Sequence, residues 1–209
     1  MYSVKELFLT LQGEGYHAGR VAVFCRFAGC NLWNGREADR QQAQCTFCDT
    51  DFVGTDGVGG GKFANAELLV DHILALWGAT GGRPYVVFTG GEPLLQLDSR
   101  LMAAAHARDV TIAVETNGTV SPPVGIDWLT VSPKGTNALR VVCGQELKLV
   151  YPQSSVRPEQ FSGLKFDHFF LQPMDGPDLA DHTRAAVQYC LANRQWRLSL
   201  QMHKLAGFP

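Results

Sequence analysis

The chain has 209 residues, 45% of them hydrophobic and 18% charged, with a formal net charge of -2. That length buries a substantial core and makes one domain over 1–209 the expectation, while the near-balanced charge argues against nucleic-acid or membrane-surface partners. No apolar run reaches the length of a membrane span, and six cysteines without disulfide spacing, behind Lys5 and Glu6 where a signal peptide needs its apolar stretch, fit a reducing cytoplasm.

In chain order, the first feature is Leu11, Gln12, Gly13, Glu14 and Gly15, a carboxylate and an amide between glycines. It reads either as a surface turn or as polar groups held for a ligand. An apolar run over 21–28 follows, and Arg26 interrupts it. A buried arginine needs a partner, most economically a carboxylate gripped by two parallel hydrogen bonds; an internal ion pair is the other reading.

Three cysteines come next, Cys30, Cys45 and Cys48, with fourteen residues (31–44) inside the first gap and C-x-x-C spacing in the second. Cys25 lies in the apolar run at i±2 spacing from Val23 and Phe27, as a small strand side chain does. Three thiolates alone leave one iron of a cubane cluster without a protein ligand, free for chemistry. With Cys25 as a fourth ligand, the set closes a structural zinc site or a fully ligated electron-transfer cluster instead. Cys143 and Cys190 read as ordinary buried thiols, and 54–62 as a flexible glycine-rich loop.

An amphipathic helix is expected over 66–77 with Asn65 as its N-cap. A strand at 85–89 then ends in Thr89, Gly90, Gly91, Glu92 and Pro93. Asp98 is placed to cap a helix over 99–108. Further strands at 110–115, 128–132, 146–150 and 168–172 end, respectively, near Glu115 and Asn117, at Ser132, Pro133 and Lys134, at Val150, and at Gln172, Pro173, Met174 and Asp175. Glu146 and Lys148 read as a solvated pair, and Asn117 as either an Asn-Gly turn or a ligand group. A helix over 178–193 and a strand over 197–201 complete the list.

Continuous apolar runs suit parallel strands covered on both faces. The connections 117–127, 134–145 and 151–167 are rich in breakers, and the first is too short for a crossover helix. The expected architecture is therefore α/β with about three main helices. Functional groups of such sheets gather at the carboxyl ends of strands, where nearly every polar cluster here falls.

The cysteine loop paired with Thr89, Gly90, Gly91, Glu92 and Pro93 resembles the radical S-adenosylmethionine superfamily, although the usual spacing there is C-x-x-x-C-x-x-C. The resemblance implies a partial, pared-down (β/α)6-type TIM-like barrel, a 4Fe-4S cluster on Cys30, Cys45 and Cys48, and S-adenosylmethionine chelated to the open iron. Reductive cleavage of that cofactor yields a 5′-deoxyadenosyl radical that takes a hydrogen atom from the substrate, so no side chain is assigned a catalytic role. By the same resemblance Gly91, Ser132, Pro133, Lys134, Gln172, Pro173, Met174 and Asp175 contact S-adenosylmethionine.

Within that superfamily, Leu11 to Gly15, the expanded loop ending in Cys48, Asp49 and Thr50, Ser132 to Lys134, and the tail from His203 to Pro209 resemble the 7-carboxy-7-deazaguanine synthase family. This implies conversion of 6-carboxy-5,6,7,8-tetrahydropterin to 7-carboxy-7-deazaguanine, with Gln12, Gly13, Glu14, Arg26, Thr89 and the free carboxylate of Pro209 at the substrate. It also implies magnesium on Thr50, with Asp49 and Asp51 as weaker candidates, an electron donor such as a flavodoxin or ferredoxin, and a homodimer. The rival readings are a small activase acting on a protein, and a non-catalytic iron–sulfur or zinc module.

Overall fold

Strand residues alternate between two environments, and that alternation places the site. The computed structural model describes residues 1–79 and 81–209. Its strands are β1 (Tyr2–Leu11), β2 (Val21–Phe27), β3 (Gly61–Phe63), β4 (Tyr85–Gly90), β5 (Thr111–Thr116), β6 (Trp128–Val131), β7 (Cys143–Tyr151), β8 (Lys165–Pro173) and β9 (Trp196–Leu198). One sheet takes them in the order β3-β1-β2-β4-β5-β6-β7-β8-β9. β1 runs antiparallel to β2 and β3, and every pairing from β2 on to β9 is parallel.

Odd residues of β2 and even residues of β4 and β5 face outward. Val23, Cys25, Phe27, Val86, Phe88, Ile112 and Val114 are buried there in one cluster with side chains of α1 (Ala66–Trp77) and α2 (Ser99–His106). Burying each large apolar side chain of this kind stabilises the fold by about 1.5–3 kcal/mol. α1 starts where the Asn65 side chain accepts from the Leu68 N–H, and α2 where Asp98 accepts from the Leu101 N–H; each cap satisfies an amide that the helix itself leaves unpaired. α3 (Leu179–Ala192) covers β8 and β9 and has no side-chain cap.

The opposite parity points inward. Ala22, Tyr85, Val87 and Ala113 pack at one end of the inner face. Toward the carboxyl ends of the strands, Arg26, Thr89, Glu115, Ser132, Lys148 and Gln172 line a cavity around which the sheet curves. Among the described residues, no helix separates β5 from β6, β6 from β7, or β7 from β8, apart from a short 3-10 turn at Pro158–Gln160. This is the pared-down (β/α)6-type architecture expected, with three main helices.

Several features differ from the sequence expectations, among them Cys143, exposed at the start of β7, and Cys190, half-buried on α3, both of which read as buried thiols, and the short strand β3. The N-terminal strand β1 and a short terminal helix, α4 (Met202–Ala206), extend the barrel at both ends of the chain. The glycine-rich stretch after Gly54 is packed: Gly57 N donates to Lys5 O at 2.9 Å, Leu7 N to Val58 O at 2.8 Å, and a Cβ on Gly59 would come within 2.3 Å of Leu7 O. Its glycines serve close approach to β1. Among the described residues, no helix is long and apolar enough to cross a membrane.

Candidate active site

The cavity has a volume of about 420 Å³ and draws its walls from β1, β2, the cysteine loop, the ends of β4 to β8 and the C-terminal tail. A volume in this range suits a buried small molecule or cofactor.

Its floor is a buried charge network. Lys148, only 3% exposed, donates to Glu14 at 2.5 Å and to Glu115 at 3.0 Å. Gln12, 7% exposed, donates from Nε2 to the other oxygen of Glu115 at 2.9 Å and accepts the Glu14 N–H at 3.1 Å. The segment after β1 is thus an inner layer of the site rather than a surface turn, and the Lys148 reading as a solvated residue is corrected. Burial opposes ionisation of Glu14, but the Lys148 ammonium prevails and holds its carboxyl below the usual range. Burial likewise opposes the charge on Lys148, and Glu115 and Glu14 outweigh it, raising its pKa.

Glu146 lies one inward position before Lys148 on β7 and is 3% exposed. Its Oε2 accepts from the Tyr16 N–H at 3.2 Å and from Trp128 Nε1 at 3.4 Å. Lys148 commits its hydrogen bonds elsewhere, and burial pushes the Glu146 carboxyl up. A chamber of about 10 Å³, space for roughly one water, lies between Glu146, His17, Trp128 and the Gln12, Glu14 and Glu115 layer.

One wall carries Arg26, whose Nε donates to Glu6 at 2.7 Å, both side chains lining the cavity. The internal ion-pair reading of Arg26 is realised. The pair uses only the Nε edge of the guanidinium, and the two residues sit in the cavity rather than in the core. Thr89 is in register with Arg26 on the neighbouring strand and lines the same wall.

The cysteine loop forms the upper wall. Cys48 and Thr50 line the cavity; Cys30 and Cys45 stand behind it. Burial pushes the thiols of Cys30 and Cys45 up. Cys25 is fully buried on the outward face of β2, where burial alone raises its thiol. Cys25 thus stands apart from the other three thiols of this region. Among the described residues, no three His, Cys, Asp or Glu side chains converge as one metal ion requires.

Gly91 explains why the glycine motif accompanies the cysteines. A Cβ there would lie 2.3 Å from Gly29 O and 2.6 Å from the Cys30 Cβ, and the next amide, Glu92 N, donates to Gly29 O at 3.0 Å. The glycine presses the end of β4 against the turn that carries Cys30. Glu92 itself is fully buried and accepts from Leu94 N, Thr116 Oγ1 and Asn117 N at 2.7–3.0 Å, joining the ends of β4 and β5. Asn117 makes the bonds of a turn, its Oδ1 accepting from Thr119 N and Oγ1 and its Nδ2 donating to Asn31, and it also lines the cavity.

The far wall holds Ser132, Lys134, Gln172, Pro173, Met174 and Asp175; Pro133 does not line the cavity. Lys134 Nζ donates to Ser132 Oγ at 2.6 Å, and Met174 N donates to Tyr151 O at 2.8 Å, fixing the strand ends. The tail closes the remaining side. Met202 N donates to Gly13 O, Gln201 Nε2 to Glu14 and Asp49, and Lys204 Nζ to Asp49 and Asp175 at 2.6 Å each. Pro209 reaches the cavity, its main-chain oxygen accepting from Thr10 Oγ1 at 2.6 Å. Asp49 and Asp51 are paired with Lys204 and Lys5 respectively.

Sequence reasoning missed Glu6, Glu115 as a partner of Lys148, and the clasp residues Gln201 and Lys204. Strand parity with Arg26 and Thr89 was the available signal for Glu115; nothing local marks the other three.

No family model matches the chain. It is 68% identical over 208 residues to a 7-carboxy-7-deazaguanine synthase of Bordetella pertussis, covering 100% of this chain and 99% of that protein. To the 7-carboxy-7-deazaguanine synthase of Escherichia coli K12 it is 31% identical, covering 97% of each chain. The crystal structure of QueE from Escherichia coli superposes with a TM-score of 0.72 at 29% identity, over 97% of this chain and 94% of that one. The chain belongs to the 7-carboxy-7-deazaguanine synthase family of radical S-adenosylmethionine enzymes.

Proposed function

We propose that the chain converts 6-carboxy-5,6,7,8-tetrahydropterin to 7-carboxy-7-deazaguanine, contracting the ring with loss of ammonia in queuosine biosynthesis. The observation that carries this reading is one cavity holding a guanidinium wall at Arg26, an ionised carboxylate floor at Glu14 and the Cys48 edge of the cysteine loop.

When bound, the 4Fe-4S cluster and S-adenosylmethionine supply the hydrogen-abstracting radical by reductive cleavage of a C–S bond. Cys30, Cys45 and Cys48 hold the cluster. Gly91, Ser132, Lys134, Gln172, Pro173, Met174 and Asp175 seat S-adenosylmethionine across the strand ends; Pro133, which lies outside the cavity lining, is not among them.

Arg26 receives the substrate carboxylate. Its Nε is committed to Glu6, which leaves the terminal nitrogens for a second carboxylate, and a planar fork fixes orientation as well as affinity. Gln12, Gly13 and Glu14 meet the pyrimidine edge. Glu14 accepts from N–H groups there because Lys148 keeps it ionised, and Thr89 and the Pro209 carboxylate close the pocket around the ring. Thr50 supplies one oxygen to magnesium, a hard cation that keeps several waters and takes few protein ligands.

The chain acts as one domain over 1–209, is reduced by a flavodoxin or ferredoxin, and works as a homodimer. A cavity closed on one side by Gln201, His203, Lys204 and Pro209 suits a small heterocycle better than the peptide of an activase. The test is anaerobic turnover of the cluster-loaded chain with carboxytetrahydropterin, S-adenosylmethionine, magnesium and a reductant. Carboxydeazaguanine by mass spectrometry is the expected result, and cofactor cleavage without that product contradicts the reading.

A further inference from the structure

The fourteen residues between Cys30 and Cys45 fold into a brace directed at the C-x-x-C turn. Their two ends meet: Gln44 N and Cys45 N both donate to Leu32 O, at 3.0 and 3.4 Å. Between these ends the chain makes a 3-10 helix at Glu37–Gln42, and Trp33 anchors it, donating from Nε1 to Arg36 O at 3.2 Å and packing edge-on against buried Phe52.

Among the described residues, Arg40 is the one in this helix whose side chain donates to the backbone of the C-x-x-C turn. Its NH1 donates to Thr46 O at 3.1 Å and to Cys48 O at 3.0 Å. Nε donates to both oxygens of Glu37 at 2.8 Å, and the guanidinium lies over the Trp33 ring, 4.1 Å from its centroid. The cation is thus held by a ring face, a carboxylate and two carbonyls. Its side chain is 26% exposed, against 76% for Glu37, which leaves that carboxylate well solvated.

We propose that Arg40 is a positioning residue for the cluster, fixing the Cys48 turn and placing a permanent positive charge beside it that favours the reduced state. The inference rests on the three-cysteine assignment above. A cluster on three thiolates becomes more negative by one charge on reduction, and nearby charge, hydrogen bonding and exposure are the protein's means of setting its potential. A partly buried guanidinium is screened less than a solvent-exposed one, and lysine cannot reproduce its simultaneous donation to two carbonyls and a carboxylate.

The experiment is an EPR-monitored redox titration, with iron counted per chain, on the anaerobically reconstituted full-length protein and its Arg40→Gln, Arg40→Lys and Glu37→Gln variants. Arg40→Gln should move the cluster midpoint to a more negative potential, with Arg40→Lys between it and the unmodified protein. Glu37→Gln should move the midpoint by a smaller amount in the opposite direction, because it removes the counter-charge. These opposed shifts are not what a purely structural brace gives. An unshifted midpoint in Arg40→Gln overturns the proposal, as does an unshifted Glu37→Gln where Arg40→Gln loads too little iron to titrate. Loss of iron from Cys30→Ala, Cys45→Ala and Cys48→Ala tests the underlying assignment separately.

Discussion

Thr10 Oγ1 donates to the main-chain oxygen of Pro209 at 2.6 Å, tying that residue to β1 across 199 positions of sequence. Terminal residues are usually frayed; this one is docked at the cavity, with Met202 N on Gly13 O and Lys204 across Asp49 and Asp175. In the proposed function, the Pro209 carboxylate held in this way presents a fixed acceptor to the ring. Deleting Pro209, or extending it with a tag, removes a charge-assisted hydrogen bond of about 1.5–3 kcal/mol, a loss of roughly 10- to 150-fold in kcat/KM. Cluster content and cofactor cleavage without substrate should be unchanged. Full product formation by a tagged chain contradicts the role.

The Glu6 and Arg26 pair predicts a graded series. Arg26→Lys keeps the charge and loses the fork, so substrate affinity by calorimetry should fall by at least an order of magnitude, since bidentate sites do not tolerate the exchange. Glu6→Gln leaves Arg26 in place without its ionic anchor, and affinity should fall less. Equal affinities in all three proteins would remove the carboxylate clamp from the account.

Lys148 and Glu146 make opposite pH predictions from the same strand. Lys148→Met strands Glu14 and Glu115 as buried charges, and breaking a buried pair costs about 3–5 kcal/mol. Glu14 has a folded pKa below its unfolded value, so its pairing contributes stability above the ordinary glutamate range and loses it as pH falls through the folded value. Glu146 is raised by burial. The unfolded chain releases that proton first, so stability declines as pH rises from the ordinary glutamate value through the folded one. Thermal melts across that window should therefore decline less in Glu146→Gln than in the unmodified protein. Identical slopes would show that Glu146 is ionised in the fold.

Much of this architecture was legible in the sequence because parallel strands buried on both faces are continuous apolar runs, and the stretches around Val86, Val114 and Leu171 are of that kind. Asn65 and Asp98 announced their helices by capping. β1 was not legible: Lys5 and Glu6 interrupt its apolar pattern, and only the structure shows Lys5 paired with Asp51 and Asp56, and Glu6 with Arg26. Lys148 looked solvated because a charged residue in a strand usually faces water. Its burial follows from inward parity with Glu115 and from Glu14, 134 positions away. Arg40 had no sequence signal, since its partners are backbone carbonyls, which any residue supplies.

Thr50 lines the cavity two residues past Cys48. If it binds magnesium, Thr50→Ala should raise the magnesium concentration needed for half-maximal turnover while leaving cluster content intact. A magnesium dependence identical to that of the unmodified chain would exclude it as a ligand.

The most direct test of the account is a count of iron and an EPR spectrum of the reduced cluster, with and without S-adenosylmethionine, in four single variants. Cys30→Ala, Cys45→Ala and Cys48→Ala should lose the cluster. Cys25→Ala should keep it, at a cost in packing of order 1 kcal/mol, with a spectrum that changes when S-adenosylmethionine is added, as an iron open to the cofactor requires. Loss of the cluster in Cys25→Ala, or a spectrum insensitive to S-adenosylmethionine, would contradict the three-thiolate site.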